Sequence, residues 1–111
     1  MVKNITRRNL KVIWITGASS GIGRATTIKL ADDPHTVIYA SARSEEKLIE
    51  LSENHGGEGE IIALPLDVTD IETVNEAVKT IYEAHGRIDL AILNAGYYEP
   101  RPVQDLTMDD F

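Results

Sequence analysis

Hydrophobic runs of strand length alternate with amphipathic segments along the chain. The four runs lie at Lys11–Thr16, Thr36–Ser41, Glu60–Leu64 and Ile88–Leu93. They are rich in Val and Ile and nearly continuous in hydrophobicity, as is typical of strands that are covered on both faces. Because strands alternate with helical segments, the pattern predicts an α/β fold with a parallel sheet. Right-handed crossovers then give a sheet of about four strands in the order 3-2-1-4, with three crossover helices.

The three predicted helices lie between these strands. They are expected to begin near Gly21, at Glu45 and at Ile71, and to end before Pro34, at about Asn54 and at His85. The third helix has the clearest pattern, because its apolar residues recur at helical spacing. Thr69 and Glu72 stand at the spacing of a capping box at its start, and Ser44 is the predicted N-cap of the second helix.

The amino-acid composition limits the class of protein to which this chain can belong. The 111 residues weigh 12.3 kDa, which fits one domain, and the contents of 42% hydrophobic and 26% charged residues are typical of globular chains. The absence of cysteine excludes a disulfide scaffold, a thiolate metal site and a cysteine nucleophile. It fits a reducing compartment, and we expect a cytoplasmic protein. His35, His55 and His85 lie in separate segments without ligand spacing, so no metal site is predicted.

Charge narrows the set of partners. Eighteen acidic and eleven basic residues give a net charge of −7, which argues against a general affinity for nucleic acid or anionic membranes. The basic cluster near the N-terminus precedes only a short apolar run, which ends at Thr16 and is far shorter than a signal or a membrane span. We therefore expect no nucleic-acid partner and no membrane partner.

A glycine-rich turn directly follows the first strand. Its residues are Thr16, Gly17, Ala18, Ser19, Ser20, Gly21, Ile22 and Gly23. Gly17 permits the sharp exit from the strand, Gly21 lets the backbone approach a ligand, and Gly23 allows close packing of the next helix. Backbone N–H groups and the positive end of that helix would hold a pyrophosphate, with the Ser19 and Ser20 hydroxyls as further donors. A loop that merely turns the chain is the alternative.

This turn resembles the Thr-Gly-x-x-x-Gly-x-Gly signature of the short-chain dehydrogenase/reductase family. Asp67-Val68 after the third strand is similar to the family's adenine-contacting Asp-Val, and Asn94-Ala95-Gly96 after the fourth is similar to its Asn-Ala-Gly, which supports the sheet beside the cofactor. The likeness covers about residues 11 to 111. It implies a doubly wound, Rossmann-type domain that binds a nicotinamide dinucleotide. Taken singly, Asp67 also fits a plain turn and Asn94 an ordinary strand-ending loop.

The end of the second strand bears on which dinucleotide is bound. An acid at this place would bind the 2′-hydroxyl of NAD, but the chain has Ala42 followed by Arg43. A planar guanidinium can donate two hydrogen bonds to a phosphate and stack on adenine, so NADP(H) is favoured over NAD(H). The resemblance points the same way, because an Arg after a small residue is typical of NADP-preferring members. Alternatively, Arg43 is solvated and pairs weakly with Glu45 or Glu46.

The resemblance also implies an activity. Family members transfer hydride between the cofactor and a carbonyl or alcohol substrate, with a Tyr-x-x-x-Lys pair, a Ser and an Asn that all lie beyond the Asn-Ala-Gly segment. None of the four tyrosines here has a Lys four residues later, so no catalytic residue is assigned. We expect an NADP(H)-dependent oxidoreductase of this family, with an unidentified small-molecule substrate. The 111-residue chain itself is expected to lack the catalytic half and to be inactive.

The last residues suggest that the domain is truncated. Thr107-Met108-Asp109-Asp110 looks like an N-cap and the acidic first turn of a helix, yet Phe111 is the last residue. We expect a single truncated domain over residues 1–111 whose fourth strand is an exposed edge, and a homo-oligomer. A frayed tail is the alternative for this segment. For the chain as a whole, a non-catalytic nucleotide-binding or sensing module and an inactive remnant remain alternative functions.

Overall fold

A computed structural model describes residues Leu10–Asn94. Its elements, in chain order, are β1 (Lys11–Thr16), α1 (Gly21–Leu30), β2 (Thr36–Ser41), α2 (Glu45–Asn54), β3 (Glu60–Ala63), α3 (Ile71–His85) and β4 (Leu90–Leu93). Each helix connects two strands of one sheet, as the alternating pattern predicts. The predicted bounds of β1, β2, α2 and α3 are confirmed. The segment at Thr107 lies outside the described residues.

The four strands form one parallel sheet in the order β3-β2-β1-β4. β1 is central and pairs with β2 from Lys11 opposite Thr36 onward, and with β4 from Ile13 opposite Leu90 onward. The predicted order and the Rossmann-type architecture are thereby confirmed. The chain winds from β1 toward β3 in one direction and then crosses back to β4 on the other side. Ligands of such sheets bind at this reversal, outside the carboxyl ends of the strands.

Two apolar clusters cover the two faces of the sheet. Alternate strand residues such as Ile13, Ile15 and Ile38 pack with Leu48 and Leu51 of α2 on one face. The strand residues between them, Val12, Trp14, Val37 and Tyr39, pack on the other face with Leu66 and with Ala77 and Ile81 of α3. Because side chains alternate along a strand, β1 and β2 are buried on both faces, which explains their continuous hydrophobicity.

The outer strands differ slightly from their predicted bounds. β3 ends at Ala63, one residue early, because Pro65 has no N–H to continue the ladder, although Leu64 N still donates to Ala40 O at 2.9 Å. β4 begins at Leu90 rather than at Ile88. The Asp89 carboxylate just before it accepts a hydrogen bond from Val12 N at 2.7 Å, so this end of β4 is joined to β1 partly by a side chain.

The residue predicted to cap α3 is corrected. The N-cap is Asp70, whose carboxylate accepts a hydrogen bond from Glu72 N at 3.0 Å, and not Thr69. Thr69 is engaged elsewhere, because both its backbone N and its hydroxyl donate to the Asp67 carboxylate. Both residues are good N-cap types, so the sequence alone does not separate them.

β4 is an edge of the sheet that the structure describes, as expected. Leu90 and Leu93 are 43% and 36% exposed. The apolar cover of β4 is therefore incomplete among residues Leu10–Asn94. Within the same range, no helix combines the length and the hydropathy needed to cross a bilayer.

Candidate nucleotide-binding site

The glycine turn lies against the end of β4. Gly17 and Gly21 have φ angles of +66° and +57°, in the left-handed region that favours glycine. A Cβ atom at Gly17 would overlap the carbonyl oxygen of Asn94, and one at Gly23 would overlap the carbonyl oxygen of Gly17. The Asn94 amide nitrogen lies within 3.3 Å of both of these Cβ positions. Gly17 and Gly23 thus allow the turn, the start of α1 and Asn94 to pack together.

The start of α1 differs from the starts of the other two helices. The side chain of its N-cap, Ser20, accepts no hydrogen bond from the helix, and the first turn contains no acid. In contrast, Ser44 caps α2, Asp70 caps α3, and both of these helices have acids in their first turn. Because the first amides of a helix are unpaired and carry partial positive charge, α1 offers uncompensated donors to an anion.

The turn also leaves space for a ligand. Ser20, Gly21 and Ile22 are exposed, Ile22 by 81%, and no atom lies within 4 Å of a Cβ built at Gly21. Below them, Thr16 is only 3% exposed, and its hydroxyl has no hydrogen-bond partner among the described residues. Ser19 is half-buried. The backbone of this turn is therefore open on the side where a phosphate would approach.

The backbone brings Arg43 and Asp67 to the same edge of the sheet. Leu66 N donates to Ala42 O at 3.1 Å, which extends the β2–β3 pairing past both strand ends. Arg43 and Asp67 are the next residues after this bonded pair. Ala18 N donates to Ser41 O at 3.1 Å and thereby ties the glycine turn to the end of β2. The turn, Arg43 and Asp67 therefore belong to one continuous surface at the carboxyl ends of the strands.

Arg43 is exposed and is not neutralised by the acids that follow it. Within Leu10–Asn94, no ion pair joins Arg43 to Glu45 or Glu46, so the pairing considered as an alternative from the sequence is wrong, although the exposure of Arg43 that it assumed is observed. The side chain of Ala42 is half-buried and packs on the core. No carboxylate stands at this position of β2, where one would repel a phosphate.

Asp67 is held in its ionised form. Its Oδ1 atom accepts hydrogen bonds from Thr69 N at 2.9 Å and from Thr69 Oγ1 at 2.7 Å. These bonds, the side-chain one first, lower the pKa of Asp67 below its ordinary value, and the charge of Arg43 lowers it further. Val68, the next predicted site residue, packs its side chain on the cluster under α3. The holding role of Thr69 was missed at the sequence level, although an Asp followed two residues later by Thr is a known turn signal.

The structure thus places most of the predicted site residues at one edge of the sheet. The turn residues Thr16, Gly17, Ser19, Ser20, Gly21, Ile22 and Gly23 lie beside Asn94, and Arg43, Asp67 and Val68 follow the neighbouring strands. Ala95 and Gly96 lie outside the described residues. The contact of each residue with a cofactor stays a prediction.

The histidines occupy the positions expected of helix-end and surface residues. His55 is the C-cap of α2, His85 lies in the last turn of α3, and His35 is exposed. Within the described part of the chain, no group of three or more His, Asp and Glu residues could hold a metal ion.

Comparison with known proteins identifies the family. The family sequence model of the short chain dehydrogenases matches residues 11–111 of this chain. This chain belongs to the short-chain dehydrogenase family. It is 42% identical over 101 residues to oxidoreductase BOA17 of Botryotinia fuckeliana, and the match covers 91% of this chain and 36% of that protein. It is 40% identical over 86 residues to the 3-oxoacyl-[acyl-carrier-protein] reductase FabG of Thermotoga maritima, covering 78% of this chain and 35% of the reductase.

Solved structures agree with this family. L-sorbose reductase from Gluconobacter frateurii, in a complex with NADPH and L-sorbose, matches with a TM-score of 0.74 and 27% identity, over 89% of this chain and 38% of that one. YwfH, an NADPH-dependent reductase of bacilysin biosynthesis, matches with a TM-score of 0.73 and 27% identity, over 91% of this chain and 44% of that one. The chain therefore spans about a third of the length of its curated relatives and up to 44% of these structures.

Proposed function

We propose that this chain binds NADP(H) as the cofactor-binding part of a short-chain oxidoreductase. The observation that carries the proposal is the end of β2, where Ala42 and the exposed Arg43 stand beside the glycine turn with no acid to bind a 2′-hydroxyl or to repel a 2′-phosphate. The NADPH complex of the similar L-sorbose reductase supports the same cofactor.

The residues of the site fit such a dinucleotide. The uncapped, acid-free start of α1 receives the diphosphate through its backbone amides, with Ser19 and Ser20 as side-chain donors. Arg43 donates to the 2′-phosphate, and Asp67 meets the adenine as the resemblance implies. Asn94, packed against Gly17 and Gly23, keeps the turn at the end of β4. The bound cofactor supplies hydride transfer, while this chain orients it.

For the whole protein, we infer reduction of a carbonyl or oxidation of an alcohol, in line with the reductases that the chain resembles. The proton donor of this chemistry lies outside these 111 residues, because no tyrosine here has a Lys at the family's spacing. The chain alone is therefore expected to bind NADPH without turning over a reactive carbonyl. Steady oxidation of NADPH by highly purified chain would contradict this assignment.

The cofactor preference is tested by titration calorimetry of the whole chain with NADPH and NADH. We expect tighter binding of NADPH, and we expect Arg43→Ala to lower its affinity about tenfold or more, as for a lost hydrogen bond between charged groups, with little effect on NADH. Lys29→Ala is the matched control, because it removes an exposed cation near the opposite end of α1. Equal affinity for both cofactors, or an equal loss of both in Arg43→Ala, would overturn the proposal.

A further inference from the structure

Helix α3 has two apolar sides. Ala77 and Ile81 are buried and pack on the sheet. Ile71, Val78 and Tyr82 follow one another at spacings of seven and four residues, which places them along a second side of the same helix. Ile71 and Tyr82 are 59% and 49% exposed, and Val78 is half-buried. We call these three residues the α3 flank.

The α3 flank lies on the side of the helix that points toward β4. Thr73 and Thr80 of α3 line a groove together with Leu64 and Pro65 at the end of β3. Thr73 and Tyr82 are nine residues apart, or about two and a half turns, so the flank is turned away from this groove. Since the sheet has the order β3-β2-β1-β4, the side away from β3 is the side of β4.

The face of β4 on the α3 side of the sheet is also open. Leu93 is paired with Thr16 in the parallel ladder, and Thr16 shares its face with Trp14, which packs in the cluster under α3. Leu93 therefore points to the α3 side of the sheet, where it is 36% exposed. Leu93 and the α3 flank thus belong to one side of the sheet at its β4 edge, and residues Leu10–Asn94 cover both incompletely. Grouped apolar side chains of this kind mark an interaction surface.

A second set of apolar residues lies in the sequence that follows β4. Thr107 and Asp110 have the spacing of a capping box with Thr107 as the N-cap. Leu106 and Phe111 then occupy the two positions of a hydrophobic staple, one just before the N-cap and one at the end of the first turn. Because a single helical turn is unstable by itself in water, this pattern requires a surface on which to pack.

Residues 106–111 can reach the α3 flank. Eleven residues, 95–105, separate them from Asn94, and a connection of that length extends to about 40 Å. The α3 flank runs over eleven positions, which is about 16 Å along the helix axis. A short flexible tether gives an effective concentration in roughly the millimolar range, so the chain's own segment occupies the surface before a second copy does in dilute solution.

We infer that residues 106–111 dock on the α3 flank and Leu93 as the start of a fourth helix. This inference goes beyond the proposed function, because it involves neither Arg43 nor a nucleotide and holds for either dinucleotide. It gives Ile71 and Tyr82 a packing role that their exposure within Leu10–Asn94 does not reveal.

Paramagnetic broadening of NMR signals in the whole chain tests the docking. The chain has no cysteine, so Asn75→Cys provides one attachment site for a nitroxide label at an exposed position four residues after Ile71. We expect the amide signals of residues 106–111 to lose most of their intensity. The matched control is Glu53→Cys, at an exposed position of α2 on the opposite face of the sheet, whose label should leave those signals unchanged.

A mixed sample distinguishes the possible occupants. It contains spin-labelled chain without isotopes and isotope-enriched chain without a label, so only contacts between two copies broaden its signals. Broadening confined to this mixture would show that a second copy covers the surface, and it would overturn the inference. Equal signal intensities with the labels at positions 75 and 53 would overturn it as well, because residues 106–111 would then have no preferred place.

A double-mutant cycle measures the same contact by urea unfolding. Replacing Ile71 and Tyr82 together by Ala, and Phe111 by Ala, should each lower the ratio of folded to unfolded chain. The combined variant should lose about fivefold less than the product of the two separate losses, since both changes remove one contact. Ile49→Ala, at a 42% exposed position of α2, should combine with Phe111→Ala without coupling. Independent effects of the α3 flank and Phe111 would overturn the inference.

Discussion

Alanine substitutions at Gly21, Gly56 and Gly17 distinguish the effects of backbone strain and of packing on stability from the effect on phosphate binding. Gly21 and Gly56 both have positive φ angles, +57° and +78°, and no atom lies within 4 Å of a Cβ built at either. Gly17 has a similar φ of +66°, but its Cβ would overlap the carbonyl oxygen of Asn94. The first two substitutions therefore introduce only strain, whereas Gly17→Ala introduces strain and a steric clash with backbone.

The expected magnitudes follow from this geometry. An alanine forced into the left-handed region costs about 1–2 kcal/mol, so Gly21→Ala and Gly56→Ala should destabilise the chain to similar extents. For a domain of this size each kcal/mol lowers the melting temperature by roughly 4–8 °C. Gly17→Ala must also separate the turn from Asn94, and we expect a loss above about 4 kcal/mol, which is enough to unfold a marginally stable domain.

Urea unfolding followed by circular dichroism measures these losses, and calorimetry with NADPH measures binding. Gly21→Ala should weaken the binding of NADPH, because the added methyl group would stand where we propose that the diphosphate approaches the turn. Gly56→Ala, at the far end of α2, should leave the affinity unchanged despite equal strain. Equal NADPH affinity in the two variants would refute the placement of the diphosphate at this turn. A Gly17→Ala chain as stable as Gly21→Ala would refute the described contact with Asn94.

Two further predictions concern the sheet. The pKa of Asp89 is lowered, first by the hydrogen bond from Val12 N and also by Arg87. The ionised Asp89 carboxylate therefore stabilises the fold above the unfolded-state pKa of 3.8, and this stabilisation is lost as the pH falls through the lower pKa of the folded state. Asp89→Asn should therefore reduce the loss of stability on acidification. Urea midpoints of the variant that fall with decreasing pH as steeply as those of the unsubstituted chain would contradict this prediction. The buried Trp14 Nε1 donates a hydrogen bond to Ser41 Oγ at 2.9 Å, and Ser41→Ala removes this acceptor. The substitution should lower the free energy of unfolding by about 1–3 kcal/mol, measured by the fluorescence of the single Trp. An unchanged free energy of unfolding would contradict a buried hydrogen bond at this place.

The architecture was predictable because its signals are local and mutually consistent. β1 and β2 are hydrophobic throughout since both faces are buried, and α3 has an apolar stripe because one side packs on Val12 and Trp14. The alternation of these elements, together with the handedness of crossovers, then fixes the strand order. The ends of β3 and β4 were less predictable, because they depend on Pro65 and on the hydrogen bond between Asp89 and β1.

The site was predictable in outline but not in its contacts. The glycine positions indicated a tight turn, yet only the three-dimensional structure reveals that Gly17 is required by the backbone of Asn94, a residue more than seventy positions away, and Gly23 by the backbone of Gly17. The sequence likewise left open whether Arg43 pairs with the acids that follow it. The placement of Arg43 and Asp67 at the same sheet edge depends on the pairing of Ala42 with Leu66, which no local pattern encodes.

The missing side-chain cap of α1 links ligand binding to the folding of this helix. In α2 and α3 the N-cap side chain already accepts a hydrogen bond from one of the first amides in the free chain. At α1 a diphosphate would perform that task, and every nucleotide bound would then shift the unfolding equilibrium, by about 2.7 kcal/mol at a concentration one hundred times its dissociation constant. The amide protons of this first turn should then be the ones whose exchange with solvent slows most when nucleotide is added.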